Sequence, residues 1–181
     1  NSGVQIRGLS SPSGQNGRVH GYQIEIDPTE RAWTGGLYDE ARRGWLHPVH
    51  GQEAARKAFR MGEWNRFRVE AIGTSLRSWV NGVAVANVVD DLTPRGFIAL
   101  QVHSIGKDAS RVGQTVRFRN IRILTTNLAA NRTPDRGAAD PVAEPGATLW
   151  GPIDVASQSA PVRYGITVNK NVGSPYYGRI Y

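Results

Sequence analysis

The fold class this sequence predicts is all-β, an antiparallel β-sandwich of the jelly-roll type, and three observations predict it. Short runs of alternating apolar and polar residues dominate the chain, punctuated by Gly, Pro, Asn and Asp, as half-buried strands joined by turns require. Asn81-Gly82 sits between two such runs; both residues tolerate the positive φ of a type I′ turn, so the pair marks a tight hairpin. Helix-forming stretches are scarce: only residues 52–60, rich in Ala, Arg and Lys, suggest a helical turn, and that stretch is too short to stand alone.

Taken in order, the strand-like runs are 3–8, 21–27, 64–72, 75–80 with its continuation 83–89, 96–103 and 115–124. Residues 1–126 form the expected core domain. Residues 127–146 change character, with Ala, Pro, Asp, Arg and Gly and few large apolar side chains, and read as a linker or extended arm. Residues 147–181 regain Trp150, Ile153, Val162, Tyr164, Ile166, Val168 and the Tyr176-Tyr177 pair. So short a tail cannot bury a core alone and must pack on the core or on a neighbouring chain.

The chain of 181 residues carries 22 Lys plus Arg against 15 Asp plus Glu, a net charge of +7. The excess is arginine scattered singly through strand-like runs, with no basic block, so the charge does not point to nucleic acid. The sequence contains no cysteine, which excludes a disulfide framework and thiolate metal sites. No apolar run approaches the roughly 18 residues that span a bilayer, and no membrane partner is expected. The opening residues, without an initiator Met, read as a turn running into a strand, which suggests a segment upstream.

Several blocks then carry a family resemblance. They are Asn1-Ser2-Gly3-Val4-Gln5-Ile6-Arg7-Gly8, Gly21-Tyr22-Gln23-Ile24-Glu25-Ile26-Asp27, Thr34-Gly35-Gly36-Leu37-Tyr38-Asp39, Glu63-Trp64-Asn65 with Trp79-Val80-Asn81-Gly82, Gly96 through His103, and Phe118-Arg119-Asn120-Ile121-Arg122-Ile123. Each is weak alone. In this order, over about residues 1–125, they resemble the 3-keto-disaccharide hydrolase family. The resemblance implies a concanavalin A-like jelly roll, a glycoside or oligosaccharide substrate already oxidised to a ketone at C3, and a periplasmic or secreted setting. Members of that family carry further strands before the first block. The implied partner is therefore a separate chain supplying strands, or a second copy in a homo-oligomer, because open sheet edges recruit strands.

A ketone at C3 acidifies the hydrogen at C2, so a base can remove it and the oxygen on C1 can leave by elimination, after which water adds back. That chemistry needs a base near C2, a donor for the enolate oxygen and a proton source for the leaving group. Glu25 and Asp27 lie two apart on one strand face with Gln23, and neighbouring carboxylates push their pKa values apart. His103 shares a face with Gln101, and an imidazole titrates near neutral pH. Glu25, Asp27 and His103 are thus the catalytic candidates, against the plainer reading of surface ion pairs and a structural histidine. Arg7, Gln23, Tyr38 and Gln101 are the substrate-positioning candidates, with Trp33 and Trp45 as faces for a sugar ring. Trp64, Trp79, Asn81 and Arg119 read as structural. His47-x-x-His50 is too sparse a pattern to assign a metal, and no cofactor is assigned, although a divalent ion stays open. Two other classes compete with the enzyme: a non-catalytic carbohydrate-binding module, and a structural protein assembled by strand exchange.

Overall fold

A computed structural model of the chain describes residues 1–11 and 17–134, and two antiparallel sheets organise them. The larger sheet contains β1 (Ser2–Leu9), β2 (His20–Ile26), β3 (Leu37–Glu40), β4 (Gly44–His47) and, closing the series, β8 (Phe97–Leu100). Their order across the sheet is β4-β3-β2-β1-β8. The smaller sheet is the meander β5 (Phe67–Ile72), β6 (Ser75–Val80) and β7 (Val83–Val89). The arrangement is the β-sandwich that the alternating pattern predicts.

The two-residue period decides which side chains are buried. On β2, Tyr22 and Ile24 point to the core with Ile6, Leu37, Leu46 and Leu76, while Gln23 and Glu25 point to the opposite face. A second cluster, Val49, Ala55, Ala58, Val80 and Val85, buries the short helix α1 (Glu53–Arg56) against the smaller sheet. A partly buried ionic network shores up the core: Asp39 takes Arg42 at 2.6 Å and Arg43 at 2.5 Å, and Arg43 reaches on to Asp90 at 2.7 Å. The Tyr22 hydroxyl donates to Asp90 as well. Burial pushes the Asp90 carboxyl up, but the Arg43, Tyr22 and Leu92 hydrogen bonds outweigh it and hold the group below the usual carboxylate range.

The Asn81-Gly82 turn forms as predicted, with φ of 50° and 84°. Asn81 also accepts from the Arg66 N–H and donates to the Ala58 carbonyl, tying the hairpin to the loop before it. Elsewhere the structure corrects the reading. Residues 115–124 form no strand, because among the described residues they have no neighbouring strand to satisfy their backbone. Strand β8 stops at Leu100 rather than 103, and β5 starts at Phe67 rather than 64. Strands β3 and β4 were not predicted. The helical turn covers only Glu53–Arg56. The linker and tail expectations for 135–181 lie outside the described residues. Among the described residues no helix is long and apolar enough to cross a membrane.

Candidate active site

The outward face of the larger sheet builds a polar hollow of about 250 Å³. Register sets its plan. Tyr38 pairs with Trp45 on one side and with Gln23 on the other, so an aromatic wall stands beside an amide. One step along β2, the Glu25 N–H donates to the Gly36 carbonyl at 3.0 Å, Glu25 pairs with Gly3, and the Gln101 N–H donates to the Gly3 carbonyl at 2.9 Å. Glu25 thus has a glycine on each flank. A methyl group at Gly36 would lie 3.0 Å from the Trp45 ring, and one at Gly3 would lie 2.5 Å from Gln23. Those two absent side chains let Trp45 and Gln23 lean toward Glu25 from opposite sides.

Glu25 lies at the floor, with 3% of its surface exposed. Its carboxylate accepts from Asn1 Nδ2 at 2.7 Å and from Gln23 Nε2 at 2.9 Å. Burial nevertheless dominates these donors and raises the Glu25 carboxyl above its ordinary range. Such a group is a stronger base when ionised and is more readily kept protonated than a solvated glutamate. Tyr38 is also raised, by burial first and then by the negative charges of Glu40 and Glu25, so its phenol stays a hydrogen-bond donor. Gln101 and His103 line the opposite side, and Arg18, Arg31 and Glu40 complete the rim. The His103 Nδ1 lies 2.7 Å from the Ser104 carbonyl.

Of the residues singled out from the sequence, Glu25, His103, Gln23, Tyr38, Gln101 and Trp45 come together here. Asp27, Arg7 and Trp33 do not line the hollow. Asp27 comes just after β2 and is consumed by the loop it opens. It accepts from Thr29 Oγ1 at 2.7 Å, the Thr29 N–H at 3.2 Å, Arg31 Nε at 2.7 Å and the Trp33 N–H at 3.3 Å. Burial works against ionisation, but these bonds win and lower its pKa. The two carboxyls are thus shifted in opposite directions, Glu25 up by burial and Asp27 down by its hydrogen bonds.

Arg7 is turned away by a bulge. The β1–β2 register shifts between Ile6 and Leu9, Arg7 takes a φ of 49°, and its guanidinium donates to the Gly73 carbonyl of the other sheet at 2.8 Å. Trp33 packs on the Val49–Val85 cluster and meets Trp45 edge-on, with ring centroids 4.9 Å apart. It braces the wall that Trp45 and Tyr38 form, their centroids 5.1 Å apart. Arg31 lies over both tryptophans, 4.9 and 5.1 Å from the ring centres.

Sequence reasoning missed Asn1 and Ser2 as site residues. Asn1 holds Glu25, and Ser2 Oγ donates to the Gln101 carbonyl at 2.7 Å. The available signal was their place two and one residues before Gly3, on the strand that pairs with both β2 and β8. His47 is half-buried, and desolvation lowers its pKa; its Nε2 lies 2.8 Å from the Gln52 amide, while His50 is exposed. Among the described residues no three His, Asp or Glu side chains converge as a metal site would need.

Comparison with known proteins gives one family. A model described as a 3-keto-alpha-glucoside-1,2-lyase-like domain matches residues 1–124, which include every strand above. No curated protein matches the chain.

Proposed function

The chain belongs to the 3-keto-alpha-glucoside-1,2-lyase-like family, and from that premise we propose that it cleaves 3-keto-glycosides by acid/base elimination in the hollow over Glu25. Ionised Glu25 takes the proton from C2, which the C3 ketone has acidified. The C2–H electron pair becomes a C2=C3 bond as charge moves to the C3 oxygen; collapse of this enolate restores the ketone, forms the C1=C2 bond and breaks the C1–O bond, and the departing oxygen takes a proton from His103 at the rim. Water then adds across the enone: its oxygen bonds C1 as its proton restores His103, and the proton on Glu25 returns to C2. The Tyr38 hydroxyl and Gln101 amide serve as donors to the enolate oxygen, and Trp45 offers a face for the sugar ring.

The observation that carries this reading is Glu25 itself: a buried carboxylate with a raised pKa, set at the floor of a polar hollow in a domain of this family. Substitution Glu25→Gln keeps the shape and removes the base. Release of the leaving group from a 3-keto-glucoside should fall by about 10²- to 10⁴-fold, the usual worth of a positioned proton-transfer group, while the sugar still binds. A second reading, a carbohydrate-binding module, draws on the Trp45–Tyr38 wall. Binding of unoxidised glycosides with no release from the 3-keto substrate by either protein would favour that reading over ours.

A further inference from the structure

We propose that Gln23 is a positioning residue whose carboxamide turns over as Glu25 gains and loses its proton, so that one side chain supports both states of the base. The inference rests on the reading that Glu25 cycles between carboxylate and carboxylic acid during turnover.

Four observations lead to it. Gln23 is 1% exposed, so bulk solvent barely reaches its carboxamide. Its Nε2 donates to Glu25 Oε2 at 2.9 Å and lies 3.4 Å from Gln101 Oε1. Its Oε1 is buried and accepts from nothing among the described residues. The amide lies against Gly3, where even a methyl group would come within 2.5 Å of its Cγ and Cδ.

The nitrogen-inward orientation suits a carboxylate, which only accepts hydrogen bonds. Once Glu25 has taken the substrate's proton, one of its oxygens becomes a donor. It then faces Asn1 Nδ2 on one side and Gln23 Nε2 on the other, both donors. A half-turn of the last Gln23 torsion exchanges two groups of nearly equal size. The oxygen that lacked a donor then sits where the nitrogen was and accepts from the Glu25 hydroxyl. Gln101 is only partly buried and held by the long 3.4 Å contact, so it can turn its own amide to follow. No proton passes through either amide, since each only re-pairs. Among side chains of this length, an amide offers donor and acceptor in one planar shape without itself titrating. A bare backbone at Gly3 leaves room for the turn.

The test needs no substrate. Side-chain amide resonances of the full chain, labelled with ¹⁵N-glutamine and assigned with a Gln23→Met variant, are followed alongside the Glu25 carboxyl carbon as pH changes. The Gln23 amide signals should move with the same midpoint as Glu25, and in Glu25→Gln they should stay at their acid-limit positions at every pH. Gln23 signals that hold one position through the Glu25 titration would overturn the proposal. Kinetics give a second readout. Gln23→Met should lower kcat on the order of 10²-fold, as a misplaced base does, with KM little changed. It should also move the acid limb of the rate profile to higher pH, because the anion has lost a donor. A loss confined to KM would make Gln23 a substrate contact and reject the positioning role. Should the resonances behave as expected while Glu25→Gln still turns over substrate, the catalytic reading fails and the coupling between the two side chains stands.

Discussion

Two acidic residues on one strand end in different roles because their surroundings differ. Glu25 has two neutral amide donors and a floor position, so burial decides its proton affinity. Asp27 has four donors, one of them Arg31, and stays ionised to organise the 27–34 loop. The loop in turn holds Arg31 over Trp33 and Trp45. Asp27→Asn should therefore act on stability and on binding more than on the chemical step. Leaving a buried donor unsatisfied costs about 1–3 kcal/mol, measurable by urea denaturation, and the kinetic loss should fall mainly on KM. A variant that keeps its stability but loses kcat by the same factor as Glu25→Gln would place Asp27 in the chemistry after all. The identities of the floor residues were legible in the sequence, since parity alone puts Gln23 with Glu25 and Gln101 with His103. Arg7 was not, because one bulge residue at positive φ breaks that parity and nothing in the local pattern announces the break.

Strand β8 pairs with β1 and leads into Gln101 and His103 on one side of the site, and close packing fixes where it starts. The Gly96 position just before β8 would put a methyl group 2.4 Å from the Arg7 carbonyl carbon and the Gly8 oxygen. Backbone cannot yield as a flexible side chain can. Gly96→Ala should cost about 1–3 kcal/mol, as overpacking does, and by displacing β8 should carry Gln101 and His103 away from Glu25. Thermal unfolding and turnover should fall together; a stable variant with weakened turnover would show that the strand shifts without strain, and unchanged values in both would contradict the packing described. At this scale the hairpin at Asn81-Gly82 was the easiest element to read, because the turn chemistry is local. Strands β3 and β4 were hidden: each is four residues long, and the pair is separated by Ala41 at φ 56° and entered through Gly44 at φ 78°, so neither shows a full alternating run. The opposite error at 115–124 has the same root. Alternation reports a strand's preference, and pairing needs a neighbour that lies elsewhere in the chain.

Across the whole of the described molecule the two faces of the larger sheet divide the labour. One buries Tyr22, Ile24 and Leu37 against the smaller sheet, with the Asp39–Arg42–Arg43–Asp90 network closing the core. The other is freed by that support to display polar groups around Glu25. The fold class followed from periodicity, whereas convergence of Trp45, Tyr38, Glu25 and Gln101 on one hollow depends on the order β4-β3-β2-β1-β8, which no local pattern contains. In the proposed reaction Glu25, its proton affinity raised by burial, is the base. The pH dependence of kcat/KM for leaving-group release from a 3-keto-glucoside decides whether it is. Because the base must be ionised, activity should rise with pH through an acid limb lying above the ordinary glutamate value of about 4.3, and that limb should be missing from whatever activity Glu25→Gln retains. An acid limb at the ordinary glutamate value, or the same limb persisting in Glu25→Gln, would contradict it.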